Sequence, residues 1–129
     1  MPVSVDWLDQ PKTILHMKFK GEWTWDEFHA SEKQAKLLSK AIEYPTYLLM
    51  DFADSMKSVP MGALSHFRSA ALTAPANRKA IVIIGPRLIV AQTFVNLLTQ
   101  LGMTHLNFHI TRTYDEAVEF IANQTKIGA

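Results

Sequence analysis

Hydrophobic positions in this chain repeat with two different periods, and the alternation between them sets out the elements. Val3, Val5 and Trp7 alternate with Ser4 and Asp6, and Leu15, Met17 and Phe19 alternate with His16, Lys18 and Lys20. Both are period-two patterns of half-buried strands. The turn-forming stretch Leu8-Asp9-Gln10-Pro11-Lys12 lies between them, so an N-terminal hairpin is predicted, ended by Gly21. Thr46-Tyr47-Leu48-Leu49-Met50-Asp51-Phe52 is apolar on both alternating faces over Tyr47–Phe52, and so is Ala80-Ile81-Val82-Ile83-Ile84. Strands covered by helices on both sides read this way. Leu106, Phe108 and Ile110 alternate with Asn107 and His109, the pattern of a half-buried strand near an edge.

Between these runs the period lengthens to that of a helix. Trp25, Phe28, Ser31, Ala35, Leu38 and Ile42 share one face, with His29, Lys33, Lys36 and Lys40 opposite. Thr24 and Glu27 have the spacing of a capping box, and Trp23 with Phe28 that of a hydrophobic staple. Tyr44-Pro45 stops this helix, because proline disfavours helical geometry in the residue before it. Pro60 opens a second helix through Met61, Leu64, Phe67, Arg68 and Ala71. A third carries Leu88, Ala91, Phe94, Val95, Leu98 and Leu101 on one face and ends at Gly102. Thr113 and Glu116 form another capping box, opening a last helix through Ile121, with Asn123–Ala129 expected to fray. The order ββαβαβαβα predicts an α/β domain with a mostly parallel sheet, an N-terminal hairpin and right-handed crossovers. One domain over 1–129 is expected, with an ordered core at about 3–122.

Composition narrows the chemistry. With 48% hydrophobic and 19% charged residues, the 129-residue chain has the make-up of an ordinary globular domain that needs no staple. A net charge of +1 argues against a nucleic-acid partner, whose phosphates call for a surplus of Lys and Arg. There is no cysteine, which removes disulfides, thiol catalysis, zinc ribbons and iron–sulfur sites. Met1–Asp6 lacks the basic and apolar regions of a signal peptide, and no apolar run reaches membrane-spanning length. A cytoplasmic protein with no membrane partner is expected.

The side chains able to carry chemistry are five histidines, the aspartates Asp51 and Asp54 and several serines. Asp51 and Asp54 flank the end of the Tyr47–Phe52 strand, where open α/β sheets place their functional loops. Their three-residue spacing misses the carboxylate pair of haloacid dehalogenases, and the extra acids and lysine of a receiver domain are missing, so turn-type hydrogen bonds to loop amides are expected. His105 and His109 fall on a strand, about 13 Å apart at ~3.3 Å per residue, and His16, His29 and His66 are scattered over other elements. Surface histidines are expected, with no metal and no cofactor. Gly85-Pro86-Arg87 opens a helix after a strand but has neither the dinucleotide-binding glycines nor the Walker lysine. Ser31, Ser39, Ser55, Ser58, Ser65 and Ser69 lack a nucleophile-elbow setting, and no catalytic residue is assigned. The basic stripe on the first helix reads as a solvated face, with Glu32 placed to pair with Lys36.

The element order, the strand ending in Asp51, the loop into Gly62-Ala63-Leu64 and the segment Trp23-Thr24-Trp25-Asp26-Glu27 resemble the STAS superfamily of sulfate-transporter and anti-sigma-antagonist domains, in its SpoIIAA-like branch. The resemblance covers roughly residues 3–122. It implies a non-catalytic bacterial module that regulates through protein–protein interaction. The family's Asp-Ser-Ser-Gly-Leu motif falls on Val59-Pro60-Met61-Gly62-Ala63, so Met61 stands in place of the phosphoacceptor serine. The expected contact surface is the loop with Asp51, Asp54, Ser55, Met56, Ser58 and Met61, whose methionines suit a surface that repacks around partners. The alternative is a small hydrophobic ligand, a lipid or a nucleotide held against Trp23, Trp25 and Phe28.

One further stretch bears on association. No Asp, Glu, Lys or Arg occurs from Leu88 to Thr111, and the side of the third helix away from its core stripe carries Ile89, Gln92, Thr93, Asn96, Thr99 and Gln100. Loss of charge with apolar residues kept marks an interface core, so a homodimer through Ile89, Thr93, Asn96 and Gln100 is expected.

Overall fold

The structure is a computed structural model that describes residues 3–8, 13–55, 65–66, 69, 72–84 and 107–127. Five strands form one sheet: β1 (Val3–Trp7), β2 (Ile14–Gly21), β3 (Thr46–Ser55), β4 (Arg78–Ile84) and β5 (Asn107–Thr111). Their order in space is their order in sequence. β1 runs antiparallel to β2 in the register Val3↔Phe19 to Trp7↔Leu15, which is the predicted hairpin. β2, β3, β4 and β5 are parallel to one another. Two helices are described, α1 (Trp25–Lys40) and α2 (Tyr114–Ile127), and helical backbone also appears at Ser65, His66, Ser69 and Leu72 between β3 and β4. The helix predicted over Leu88–Leu101 lies outside the described residues. Among those described, no helix is long and apolar enough to cross a membrane.

The two apolar faces of the central strands bury against different helices. On one face Val3, Val5, Leu15, Met17, Phe19, Leu48, Met50, Phe52, Ile81 and Ile83 form a core with Phe28 and Ala35 of α1. On the other, Ile14, Tyr47, Leu49, Ala80, Val82 and Ile84 pack with Ala117 and Ile121 of α2. Each large apolar side chain taken fully out of water contributes about 1.5–3 kcal/mol, so both layers are needed to hold β3 and β4 at the centre. The doubly apolar runs in the sequence are the direct imprint of this sandwiching.

α1 begins where the capping box predicts. The Thr24 hydroxyl accepts from the Glu27 amide at 3.3 Å, and the Glu27 carboxylate accepts from the Thr24 amide at 3.0 Å. Gly21 ends β2 at φ +56°, in the left-handed region that a side chain would strain. The Ser31 hydroxyl, buried on the inner side of α1, donates to the Val3 carbonyl at 3.2 Å and ties the helix to β1. At the start of α2 only half of the predicted box forms. The Glu116 amide donates to the Thr113 hydroxyl at 3.1 Å, but the Glu116 side chain reaches past Thr113 to accept from the Arg112 amide, also at 3.1 Å.

Three expectations are corrected. β3 runs on to Ser55 rather than ending at Phe52, because β2 continues to pair with it through Lys20↔Asp54 and Gly21↔Ser55 after a register shift. α2 runs to Ile127 rather than fraying after Ile121. Glu32 does not pair with Lys36 on a solvated face. It turns inward and accepts from the Arg78 guanidinium at 2.8 Å, with the two side chains 4% and 2% exposed, while the Lys36 ammonium donates to the Thr73 hydroxyl. Burial is what decides between the partners: Arg78 opens a doubly covered strand and requires an anion, which the helix face supplies at Glu32.

Asn77, next to Arg78, completes the junction. Its side-chain amide donates to the carbonyls of Ser39, Ile42 and Tyr44 at 2.9, 2.9 and 3.1 Å, satisfying the open carboxyl end of α1. Its backbone carbonyl accepts from the Thr46 amide at 2.8 Å.

Replacing the N-cap threonine tests the start of α1. Thr24→Ala should lower stability by about 1 kcal/mol, read as a lower midpoint in a denaturant titration. An unchanged midpoint would mean that the Thr24 and Glu27 bonds do not hold the helix start.

Candidate functional site

Asp51 lies within β3, opposite Lys18 of β2 and Ile84 of β4. Its side chain points to the α2 face, among groups that the strand alternation also directs there. His16, on the same face of β2, meets it: His16 Nε2 and Asp51 Oδ2 are 2.9 Å apart, with the side chains 19% and 8% exposed. An ionised carboxylate only accepts, so Nε2 is the protonated nitrogen in this contact. Asp51 Oδ1 accepts from the Ala53 amide at 3.0 Å, the backbone hydrogen bond expected for this aspartate, although it is made inside the longer strand rather than in a loop. The Tyr114 ring, at the first residue of α2, lies 5.7 Å from the His16 ring. The three residues thus join two strands and the helix start near the carboxyl end of the parallel sheet.

Burial pushes the Asp51 carboxyl up. The hydrogen bonds from His16 and Ala53 and the charges of His16 and Lys18 together outweigh it and hold the group below its ordinary value of 3.8. On the same face, His109 lies flat on Phe120, ring centroids 3.7 Å apart, and burial lowers its pKa from the ordinary 6.5.

The other side of the sheet carries an aromatic cluster at the same end. Phe19 and Phe52 stack at 4.2 Å, Trp23 tilts against Phe19 at 4.8 Å, and Trp25 stands edge-on to Trp23 at 4.9 Å and to Phe28 at 5.7 Å. The candidate ligand residues Trp23, Trp25 and Phe28 are therefore brought together, each against another of the set or its neighbours. Trp23 and Phe28 belong to the buried core, and Trp25 is packed at its margin.

Histidines expected to be scattered are in part paired. His29 of α1 and His66, from the segment after β3, face each other with His29 Nε2 2.8 Å from His66 Nδ1. His66 also stacks on Trp25 at 4.4 Å and 11°. The supposed basic stripe is correspondingly interrupted: His29 is half-buried, and Lys36 is bonded to Thr73.

The remaining candidates are placed only in part. The backbone of Asp54 and Ser55 ends β3. Met56, Ser58 and Met61, and the proposed dimer residues Ile89, Thr93, Asn96 and Gln100, lie outside the described residues.

Sequence reasoning missed His16, His66 and Arg78 as partners. For two of them the need for a partner was readable at Asp51 and Glu32, though not which residue would meet it. An aspartate inside a run apolar on both faces needs a neutralising neighbour, and Glu32, one turn after Phe28, falls on the covered side of α1. For His66 there was no such signal, because the separation of two helices is invisible in spacing.

Against known proteins, no family model and no curated protein matches the chain. Among solved structures it is similar to an anti-sigma factor antagonist from Mycobacterium paratuberculosis, with a TM-score of 0.58, 16% identity, and coverage of 93% of this chain and 92% of that one. The fold is the STAS-like α/β fold that the sequence resembles: a five-stranded mixed sheet opening with an antiparallel hairpin.

The lowered Asp51 pKa gives a stability term with a defined sign. It is present above 3.8 and is lost as pH falls through the lower folded value. The stability difference between the parent and Asp51→Asn should therefore narrow as a denaturant series is carried from about pH 5 to pH 3. A difference that does not change over that range would contradict the His16–Asp51 geometry.

Proposed function

We propose that this chain is a non-catalytic bacterial regulatory module that acts by binding another protein, in the manner of an anti-sigma factor antagonist, in the cytoplasm. The observation that supports the reading is the likeness to such an antagonist along 93% of the chain. The strand acid in the site also has a structural use. Asp51 spends both its oxygens on His16 and the Ala53 amide, which suits a group that fixes the edge of a surface.

The contact surface in this reading is the end of β3 and the segment after it, with Asp51, Asp54, Ser55, Met56, Ser58 and Met61. β3 itself is anchored before its end at Ser55, on one face by His16–Asp51 and on the other by the Phe19–Phe52 stack. Methionine side chains have flexible, polarisable contacts that adapt to a partner. With Met61 at the place of the family's phosphoacceptor, binding here would not be switched by phosphate at that position.

Capture from a bacterial lysate tests the surface. The parent should retain a partner that Met56→Asp loses, because a charge at the centre of an apolar contact is left unpaired. The same partners at the same yield on both proteins would sink the proposal.

A homodimer through Ile89, Thr93, Asn96 and Gln100 is part of the same proposal, on the strength of the uncharged stretch Leu88–Thr111. Light scattering on a sizing column should show a dimer for the parent and a folded monomer for Thr93→Arg. A monomeric parent at tens of micromolar, or a dimeric variant, would end it.

A further inference from the structure

We propose that His29 and His66 form a two-histidine chelate for a borderline divalent transition-metal ion, such as zinc or copper(II), between α1 and the helical segment after β3. The proposal is independent of the protein-binding function. Its basis is the convergence of two ring nitrogens, His29 Nε2 and His66 Nδ1, 2.8 Å apart. In the metal-free pair one nitrogen carries a proton and the other accepts it. A metal bound by imidazole at 2.0–2.1 Å, with angles between square-planar and tetrahedral, needs its two nitrogens about 2.9–3.3 Å apart. The ion therefore takes the place of the shared proton once the nitrogens open by a few tenths of an ångström and the rings turn so that both lone pairs converge on it, the displaced proton passing to the other nitrogen of the ring that donated it.

Both rings are already held in place. His66 lies flat on Trp25 at 4.4 Å and 11°, and His29 meets the Phe28 ring at 5.1 Å and 63°. Phe28 is fully buried in the core, so the His29 side of the chelate is built on the rigid part of the fold. Ligands oriented before binding lose little freedom on binding, which favours an ion even with few ligands. Both histidines are half-buried, which leaves the pair within reach of solvent. Among the described residues no third His, Asp or Glu joins them. Imidazole nitrogen is a donor that zinc and copper share, whereas magnesium and calcium prefer oxygen.

The site lies between α1 and the segment that follows the proposed contact surface. Occupancy would stiffen that junction, since the two ligands come from different parts of the chain, 37 residues apart.

The test uses untagged full-length protein. Calorimetric titration with zinc sulfate should show one saturable ion per chain, and copper(II) chloride should quench tryptophan fluorescence at the same stoichiometry, because Trp25 stacks on a ligand ring. His29→Gln and His66→Gln should each weaken zinc binding by at least about tenfold, as loss of a ligand costs no less than loss of its supporting partner. His109→Gln, on the opposite face of the sheet, should bind as the parent does. His66→Cys, which restores a zinc ligand, should bind more tightly than His66→Gln, and circular dichroism in EDTA should show each protein folded. No saturable zinc binding by the parent, or parent-like binding by His29→Gln and His66→Gln, would overturn the proposal.

Discussion

The buried ion pair between Glu32 and Arg78 is the constraint on which the arrangement of this protein depends. Removing two charges from water costs several kcal/mol per ion, and only close, well-directed pairing returns it. The 2.8 Å contact supplies that pairing. Arg78 also carries Nε and Nη2 buried without a hydrogen-bond partner among the described residues, so the contact of its Nη1 with Glu32 is what compensates its charge there. A rotation of α1 that withdrew Glu32 would leave a whole charge buried and unpaired. The rotation of the helix about its axis is thereby fixed, and Phe28, Ala35 and Ser31 are held toward the sheet with it.

The pair sits in a polar junction at the amino ends of β3 and β4. Asn77 closes the end of α1, Thr46 bonds to the Asn77 carbonyl, and Ser39 lies buried beside Thr46. The opposite end of the sheet is built differently. There Phe19, Phe52, Trp23 and Trp25 fill one side, and His16, Asp51 and Tyr114 occupy the other. A paired amino end and an anchored carboxyl end hold β3 in place as far as Ser55, which in the proposed reading gives a protein-binding surface a fixed base. The His29–His66 contact lies at that same aromatic end, with His66 against Trp25.

Much of this was legible in the sequence, for identifiable reasons. Short runs apolar on both faces and bounded by turn residues, Pro45 before one and Gly85-Pro86 after the other, read as central strands, so β3 and β4 declared themselves. Thr24 and Glu27 marked the start of α1 because capping chemistry is local to four residues. What was illegible depends on pairings across distance. Glu32 and Arg78 are 46 positions apart, and the alternation on β2 that set His16 among lysines gave no hint that a helix starts over it. The continuation of β3 to Ser55 came from its neighbour β2 rather than from its own residues. Candidate surface residues were readable only as types, since what a methionine after a strand touches is decided by the whole fold.

A double-mutant cycle on Glu32 and Arg78 tests the central claim most directly. Denaturant unfolding of the parent, Glu32→Leu, Arg78→Met and the double variant gives the coupling between the two positions. Each single change should cost about 3–5 kcal/mol, because it strands the other charge in the core. The double variant should be far more stable than the sum of the singles implies, since the partner charge goes too. Additivity of the two changes to within about 0.5 kcal/mol would contradict the claim that this pair holds the helix against the sheet.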